Sequence, residues 1–190
     1  IIHMFFVFLF IMLLPFSKLR HLVISSLNIY WRNLGPKNEI KPLDIENEEA
    51  ESFGVARVNE LTWKDLLDSD ACVECGRCQD NCPAYQTGKP LSPKQIIKMI
   101  RENMEEAWEN GIDNARVLNG ELITFDEIWS CTTCGACTEN CPVFVEHPTK
   151  IVGMRQYLTL MESKFPEEAQ VVFRNMENNS NPWGVGSALR

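Results

Sequence analysis

Cysteine is missing from every part of this 190-residue chain except two short stretches. All eight cysteines lie in CVECGRCQDNCPAY, residues 72–85, and CTTCGACTENCPVF, residues 131–144, so none is spare. The dispersed thiols of a disulfide-stapled secreted chain are therefore lacking, and thiols two residues apart cannot easily bridge on one turn. A reducing compartment and metal ligation fit better. Positive charge is also short. Against 26 Asp and Glu stand only 18 Lys and Arg, a formal charge of −8. Nucleic-acid binding needs clustered cations to neutralise phosphates, so that class is set aside. Neither a basic n-region nor a small-residue cleavage site accompanies the apolar start, which makes it a poor signal peptide. General acid–base pairs and activated nucleophiles are not recognisable, so a catalytic site is not expected in this chain alone.

What the chain does have begins with an apolar run, IIHMFFVFLFIMLLPF, at residues 1–16. It is a little short of the ~20 residues that span a bilayer. A helix already running before Ile1 would supply the rest, as in a fragment cut from inside a longer polypeptide. Lys18, Arg20, Arg32, Lys37 and Lys41 follow it, with Tyr30 and Trp31 as candidates for an aromatic belt. The positive-inside rule then puts everything after residue 17 on the cytoplasmic side of a cell membrane. Gly35-Pro36 closes this region, and the acidic stretch DIENEEAESFG, lacking any apolar period, reads as a solvated tether. The expected organisation is a membrane segment over 1–35, an acidic linker over 36–60, a compact cysteine-bearing domain over 61–178, and the start of a further linker over 179–190.

Within the compact part, Thr62 and Asp65 mark the start of a short helix before the first cysteine run. Ser92 as cap, Pro93 at the first turn and Gln95 completing a capping box open the clearest helix. Ile96, Ile97, Ile100, Met104 and Trp108 make its apolar face, and Gly111 stops it. Asn119-Gly120 between apolar residues signals a type I′ hairpin. Thr124 and Glu127 form another capping box before the second cysteine run, and two more helices follow it, the last opening at Pro166. A shift of 59 residues lays Cys72, Cys75, Cys78 and Cys82 on Cys131, Cys134, Cys137 and Cys141, with Gly76 on Gly135 and Asn81 on Asn140. The repeat is local, so it marks paired sites.

Each run reads Cys-x2-Cys-x2-Cys-x3-Cys-Pro, the spacing of bacterial 4Fe-4S ferredoxins. Three thiolates two residues apart wrap three irons of one cubane, and the glycine after the second lets the backbone pass close by. The fourth cysteine serves the other cluster in two-cluster proteins. The expected ligand sets therefore cross: Cys72, Cys75, Cys78 and Cys141 for cluster one, Cys131, Cys134, Cys137 and Cys82 for cluster two. Zinc ribbons pair two Cys-x2-Cys units around one ion and do not duplicate triplets with trailing prolines. A zinc-stabilised, membrane-tethered interaction module is the rival from a different class.

His3 lies inside the apolar run, where an ionisable residue is a functional candidate. His21 follows it by eighteen residues, five helical turns or about 27 Å on one face. That spacing suits axial ligation of two b-type haems, each completed by another helix, although Pro15 should kink the helix between them. The alternatives are an interfacial cation for His21 and a hydrogen-bonded bundle histidine for His3. His147, just after the second run, reads as a loop residue.

Almost fifty mainly helical residues separate the two runs. That resembles the α-helical ferredoxin domain of the iron–sulfur subunits of succinate dehydrogenase and fumarate reductase. All eight cysteines are kept, as in the heterodisulfide reductase C-type, glycolate oxidase and anaerobic glycerol-3-phosphate dehydrogenase iron–sulfur subunits. HMFFVFLFIMLLPFSKLRH, residues 3–21, is similar to the last transmembrane helix of the nitrate reductase gamma-like cytochrome b family. That helix carries two haem-ligating histidines at this spacing, matched by His3 and His21. The cysteine-bearing region is similar to membrane-bound Fe–S oxidoreductases that serve electron-transfer flavoprotein as quinone reductases, relatives of heterodisulfide reductase subunits. Further membrane helices before this one and a cysteine-rich CCG domain after NPWGVG, both usual in that family, are departures. The resemblance implies a mainly α fold: a transmembrane helix, then an α-helical ferredoxin domain with two 4Fe-4S clusters and a small hairpin. It implies electron transfer between a flavoprotein, or other redox subunits, and b-type haems and a membrane quinone. A heterodisulfide-reductase-type subunit is the alternative within the same class.

Overall fold

The computed structural model describes residues 1–17, 19–36, 38–40, 42–46 and 52–186. Among them the fold is built from helices and turns. The predicted hairpin at Asn119-Gly120 does not form. One isolated bridge joins Asn119 to Ile123, and Ile123 N–H closes back on Leu118 C=O at 2.8 Å. The turn signal was right, with Gly120 at φ +85°. The flanking segments lack the length for a ladder, because Leu118 N–H bonds Ala56 C=O from another part of the chain.

The apolar opening forms α1 (Ile2–Leu13), followed by a 3-10 turn over Leu14–Phe16. Ser17 then takes an extended conformation, and its Oγ accepts from Leu19 N–H, which starts a separate helix, α2 (Arg20–Tyr30). The expectation of one long helix through both histidines is thus corrected. Pro15 brings no N–H to the ladder, and the serine two residues later redirects the chain. No helix among the described residues is long and apolar enough to cross a membrane. None of the α1 side chains is buried.

The compact part starts earlier than the expected boundary. The 3-10 turn Val58–Glu60 buries Val58, and Val55 N–H bonds Gly153 C=O at 2.9 Å. Next comes α3 (Trp63–Ala71), whose Thr62/Asp65 capping box is formed as read. Short helices α4 (Arg77–Asp80) and α5 (Pro83–Gln86) belong to the first cysteine run. The long α6 (Pro93–Asn110) is capped by Ser92, whose Oγ accepts from Gln95 N–H and donates to the Gln79 side chain. Its core face carries Ile96, Ile97, Ile100 and Ala107. Trp108, expected on that face, is 90% exposed. Asn103 takes the inward place because its amide meets both backbone groups of Arg116, accepting from Arg116 N–H at 3.2 Å and donating to Arg116 C=O at 2.9 Å.

A 3-10 turn (Ile112–Asn114) leads to α7 (Phe125–Ser130), which has the expected Thr124/Glu127 box, and α8 (Ala136–Glu139) lies in the second cysteine run. Then follow α9 (His147–Leu160) and α10 (Glu167–Asn179). Ile96 and Ile100 of α6, Leu118 and Ile123 of the loop, Ile128 of α7 and Ile151, Met154 and Leu158 of α9 form the main core. A smaller apolar cluster, Ile97, Val143 and Val145, packs against Cys72 and Cys141.

Candidate iron–sulfur centre

The two cysteine runs repeat as backbone, not only as letters. Helix α3 ends on Cys72 and α7 ends on Cys131, both extended. Two residues on, Glu74 and Thr133 take left-handed φ values of 52° and 53°. Gly76 and Gly135 follow at φ 85° and 75°, opening α4 and α8. These turns curl each triplet of thiols inward, and only glycine adopts the second one at no cost. The paired asparagines act alike: Asn81 Nδ2 donates to Arg77 C=O at 2.9 Å, and Asn140 Nδ2 to Ala136 C=O at 2.8 Å.

Each run is also fastened by an arginine from a later helix, which sequence reading missed. Arg101 of α6 donates to Cys72 C=O at 3.1 Å and pairs with Glu74. Arg155 of α9 donates to Cys131 C=O at 2.6 Å and to Ile128 C=O, with its guanidinium 5.0 Å over the Trp129 ring. No local pattern marks these two residues. The 59-residue shift does not pair them either, since Arg101 lies 29 residues after Cys72 and Arg155 lies 24 after Cys131.

One small cavity is lined by Cys72, Cys75, Cys78 and Cys141 together. Elsewhere, Cys131 lies within electrostatic reach of Cys82 and Cys134, and Cys137 within reach of Cys131. The fold thus brings the fourth cysteine of each run towards the triplet of the other. Burial, then neighbouring cysteines, pushes the Cys78 and Cys137 thiols up to about 12. Burial also raises Cys72, Cys131 and Cys141. Such thiols cannot be thiolates without a compensating cation, while backbone donors already point at the sulfurs. Thr133 N–H reaches Cys131 Sγ and Val145 N–H reaches Cys141 Sγ, both at 3.3 Å. Buried sulfur donors with N–H···S support fit an iron–sulfur cluster, which supplies iron to each thiolate. No group of three or more His, Cys, Asp or Glu among the described residues is arranged to hold a single metal ion.

Behind the first cavity lies a buried polar knot. Asp68, 1% exposed, pairs with Lys150 at 2.8 Å and Lys64 at 2.5 Å, and accepts from Glu146 N–H at 3.1 Å. Lys150, fully buried, also meets Asp65 at 3.0 Å. Burial alone would raise the Asp68 carboxyl, but Lys150 and Lys64 outweigh it and hold the group below its ordinary range. Burial opposes the charge on Lys150 too, and the two aspartates reverse that. His147, read as a loop residue, is the first residue of α9 and 2% exposed. Its Nδ1 faces Val145 C=O at 3.1 Å, and burial lowers the ring to about 4, leaving it neutral.

The histidines of the apolar region are not brought together. His3 is exposed on α1. His21, on α2 beyond the break, lines a cleft with Phe16, Arg20, Cys72 and Glu74. They lie on two separate helices, α1 and α2, rather than on the single kinked helix expected.

With the geometry in view, residues 68–145 match the family described as the 4Fe-4S dicluster domain. That span contains all eight cysteines and both halves of the repeat. The chain is similar to iron–sulfur oxidoreductases. It is 43% identical, over 99% of its length, to the EtfAB:quinone oxidoreductase of Syntrophomonas wolfei, covering 30% of that protein. It is 33% identical over its whole length to the probable iron-sulfur-binding oxidoreductase FadF of Bacillus subtilis, covering 32% of it. A probable membrane-anchored ferredoxin of Chromohalobacter salexigens is 36% identical over 79% of the chain, which covers 25% of that relative. The chain thus spans less than a third of the length of these relatives. The family match supports 4Fe-4S clusters in residues 68–145.

Proposed function

We propose that this chain is the two-cluster relay of a membrane-associated Fe–S oxidoreductase. It carries electrons between a cytoplasmic flavoprotein, of the electron-transfer flavoprotein kind, and a membrane quinone. The observation that supports this most is the meeting of Cys141 with Cys72, Cys75 and Cys78 around one cavity. A crossed pair of 4Fe-4S sites needs that arrangement, and two independent metal loops do not. Each cluster, when bound, takes up and releases one electron. The chain's own part is to bury Cys78, Cys82 and Cys137, point backbone N–H groups at Cys131 and Cys141, and hold the sites side by side. The cluster-bearing domain, expected over residues 61–178, in this reading also takes in the docked segment from Val55 and the polar face of α2.

The flavoprotein and the quinone are taken from the name of the Syntrophomonas relative, and the membrane association from that of the Chromohalobacter relative. The apolar, unburied α1 agrees with the latter. Ligation of two b-type haems by His3 and His21, each completed by another helix, stays part of this reading, with the two histidines on separate helices.

Iron and acid-labile sulfide analysis of the full-length protein, purified without oxygen, tests the reading. We expect about eight of each in this domain. About two zinc ions with almost no iron would overturn it in favour of a zinc-stabilised interaction module.

A further inference from the structure

Helix α2 was read as part of a membrane segment, yet one of its faces is polar and committed to the cluster domain. His21, Ser25 and Asn28 recur at intervals of four and three residues, which places them along one helical stripe, and Arg32 follows two residues past the end of the helix. Ser25 Oγ donates to Ala71 C=O at 3.0 Å, one residue before Cys72. Asn28, fully buried, donates through Nδ2 to Asp68 Oδ1 and to Val143 C=O, both at 2.9 Å. Val143 lies two residues after Cys141. The two chain segments that bring thiols into the first cavity from opposite ends of the domain are therefore both hydrogen-bonded to α2. At the start of α2, Arg20 pairs with Asp70 at 3.0 Å, and Arg20 and His21 share a cleft of about 820 Å3 with Cys72 and Phe16.

Beyond the end of α2 the chain passes from the Cys141 segment to the second cysteine loop. Arg32 lies 4.7 Å over the Phe144 ring, and the chain then runs across the second cysteine loop. A Cβ built on Gly135 would lie 2.0 Å from Asn38 Nδ2. Along the chain, eleven helical residues, about 16 Å of rise, and the turn after them lie between the Cys72 cleft and Asn38.

We propose that α2 is a spacer that fixes the order of the relay. It holds the site of Cys72, Cys75, Cys78 and Cys141 on the membrane side, next to α1. The site of Cys131, Cys134, Cys137 and Cys82 then faces the soluble partner. With both clusters bound, electrons from a reduced flavin would enter at the second site and leave singly from the first, past the Cys72 cleft. The quinone takes two electrons from successive hops and two protons from water. This inference rests on the membrane and cluster readings above.

The test uses the full-length protein in lipid nanodiscs and electron paramagnetic resonance of its reduced clusters. Cys75→Ser and Cys134→Ser, each leaving an oxygen ligand at an exposed position, assign the two signals by their altered g values. Relaxation is then measured with nitroxide-headgroup lipids and, separately, with a water-soluble dysprosium chelate. The signal altered in Cys75→Ser should relax several-fold more with the labelled lipid than the other, and the signal altered in Cys134→Ser more with the chelate. The reverse order, or equal relaxation of both signals by labelled lipid, overturns the spacer role and leaves the relay intact. Labelled lipid acting on neither signal overturns the membrane reading and the spacer role with it.

Discussion

At the residue scale, the buried charges near the first cavity matter more than their number suggests. Asp68 is the shared acceptor of Lys64, Lys150, Asn28 and the Glu146 N–H. A buried pair gains little over an apolar replacement, but removing one partner strands the other charge. Asp68→Asn leaves Lys150 fully buried with only Asp65 to balance it. Its expected cost is about 3–5 kcal/mol, read as a lowered unfolding temperature of the cluster-loaded protein. Glu162→Gln, which breaks the exposed Lys164–Glu162 pair, should cost less than about 1 kcal/mol. Equal small losses in both variants would show that Asp68 does not tie α2, α3 and α9 together. This knot was not legible in the sequence. Asp68 and Lys150 are separated by 82 positions, and a charged residue in a helical pattern reads as a solvated face until the packing is known. The cysteines were legible because their spacing is fixed by what a small rigid cluster can reach along a chain.

At the element scale, short-range chemistry was readable and longer-range exclusion was not. The boxes at Thr62 and Thr124 and the stop at Gly111 involve neighbours within one turn, and all three stand as read. Trp108 fits the apolar period of α6 but lies outside the packed face, because Asn103 has fixed backbone partners there. The acidic tether was read to end at residue 60, yet its last turn docks on α9 through Gly54. That glycine has φ +88°, and an added Cβ would stand 2.3 Å from Tyr157 N and 2.5 Å from Gly153 O, both backbone. Gly54→Ala should therefore undock residues 54–60, seen as faster amide exchange at Val55 and Leu118. Gly88 also has a left-handed φ, +78°, but nothing lies within 4 Å of an added Cβ. Gly88→Ala should cost only the conformational penalty, about 1 kcal/mol, with exchange at Val55 unchanged. Similar exchange in both variants would mean that the Gly54 contact does not hold the segment.

At the scale of the whole molecule, the crossing of the fourth cysteines joins two halves that are otherwise separate in sequence. Cys82 is buried and sits beside Cys131, while Cys141 lines the cavity of the first triplet. The repeat alone would equally allow each run to hold its own metal, whereas exchange of fourth ligands would add a second link to the apolar core that already joins the halves. Cys82→Ala separates the two arrangements. If the ligands cross, it removes a thiolate from the site of Cys131, Cys134 and Cys137. The first-run cluster then keeps its signal, and the second should be lost or converted to a three-iron form. Cys141→Ala should do the opposite, damaging the signal assigned to the first triplet. Both follow from anaerobic preparations by electron paramagnetic resonance with iron counted per chain. Loss of the first-run signal alone in Cys82→Ala would show that each run closes on itself. The packing of Ile97, Val143 and Val145 against Cys72 and Cys141 argues the other way. It already brings the end of the second run to the start of the first through apolar contacts that do not depend on iron.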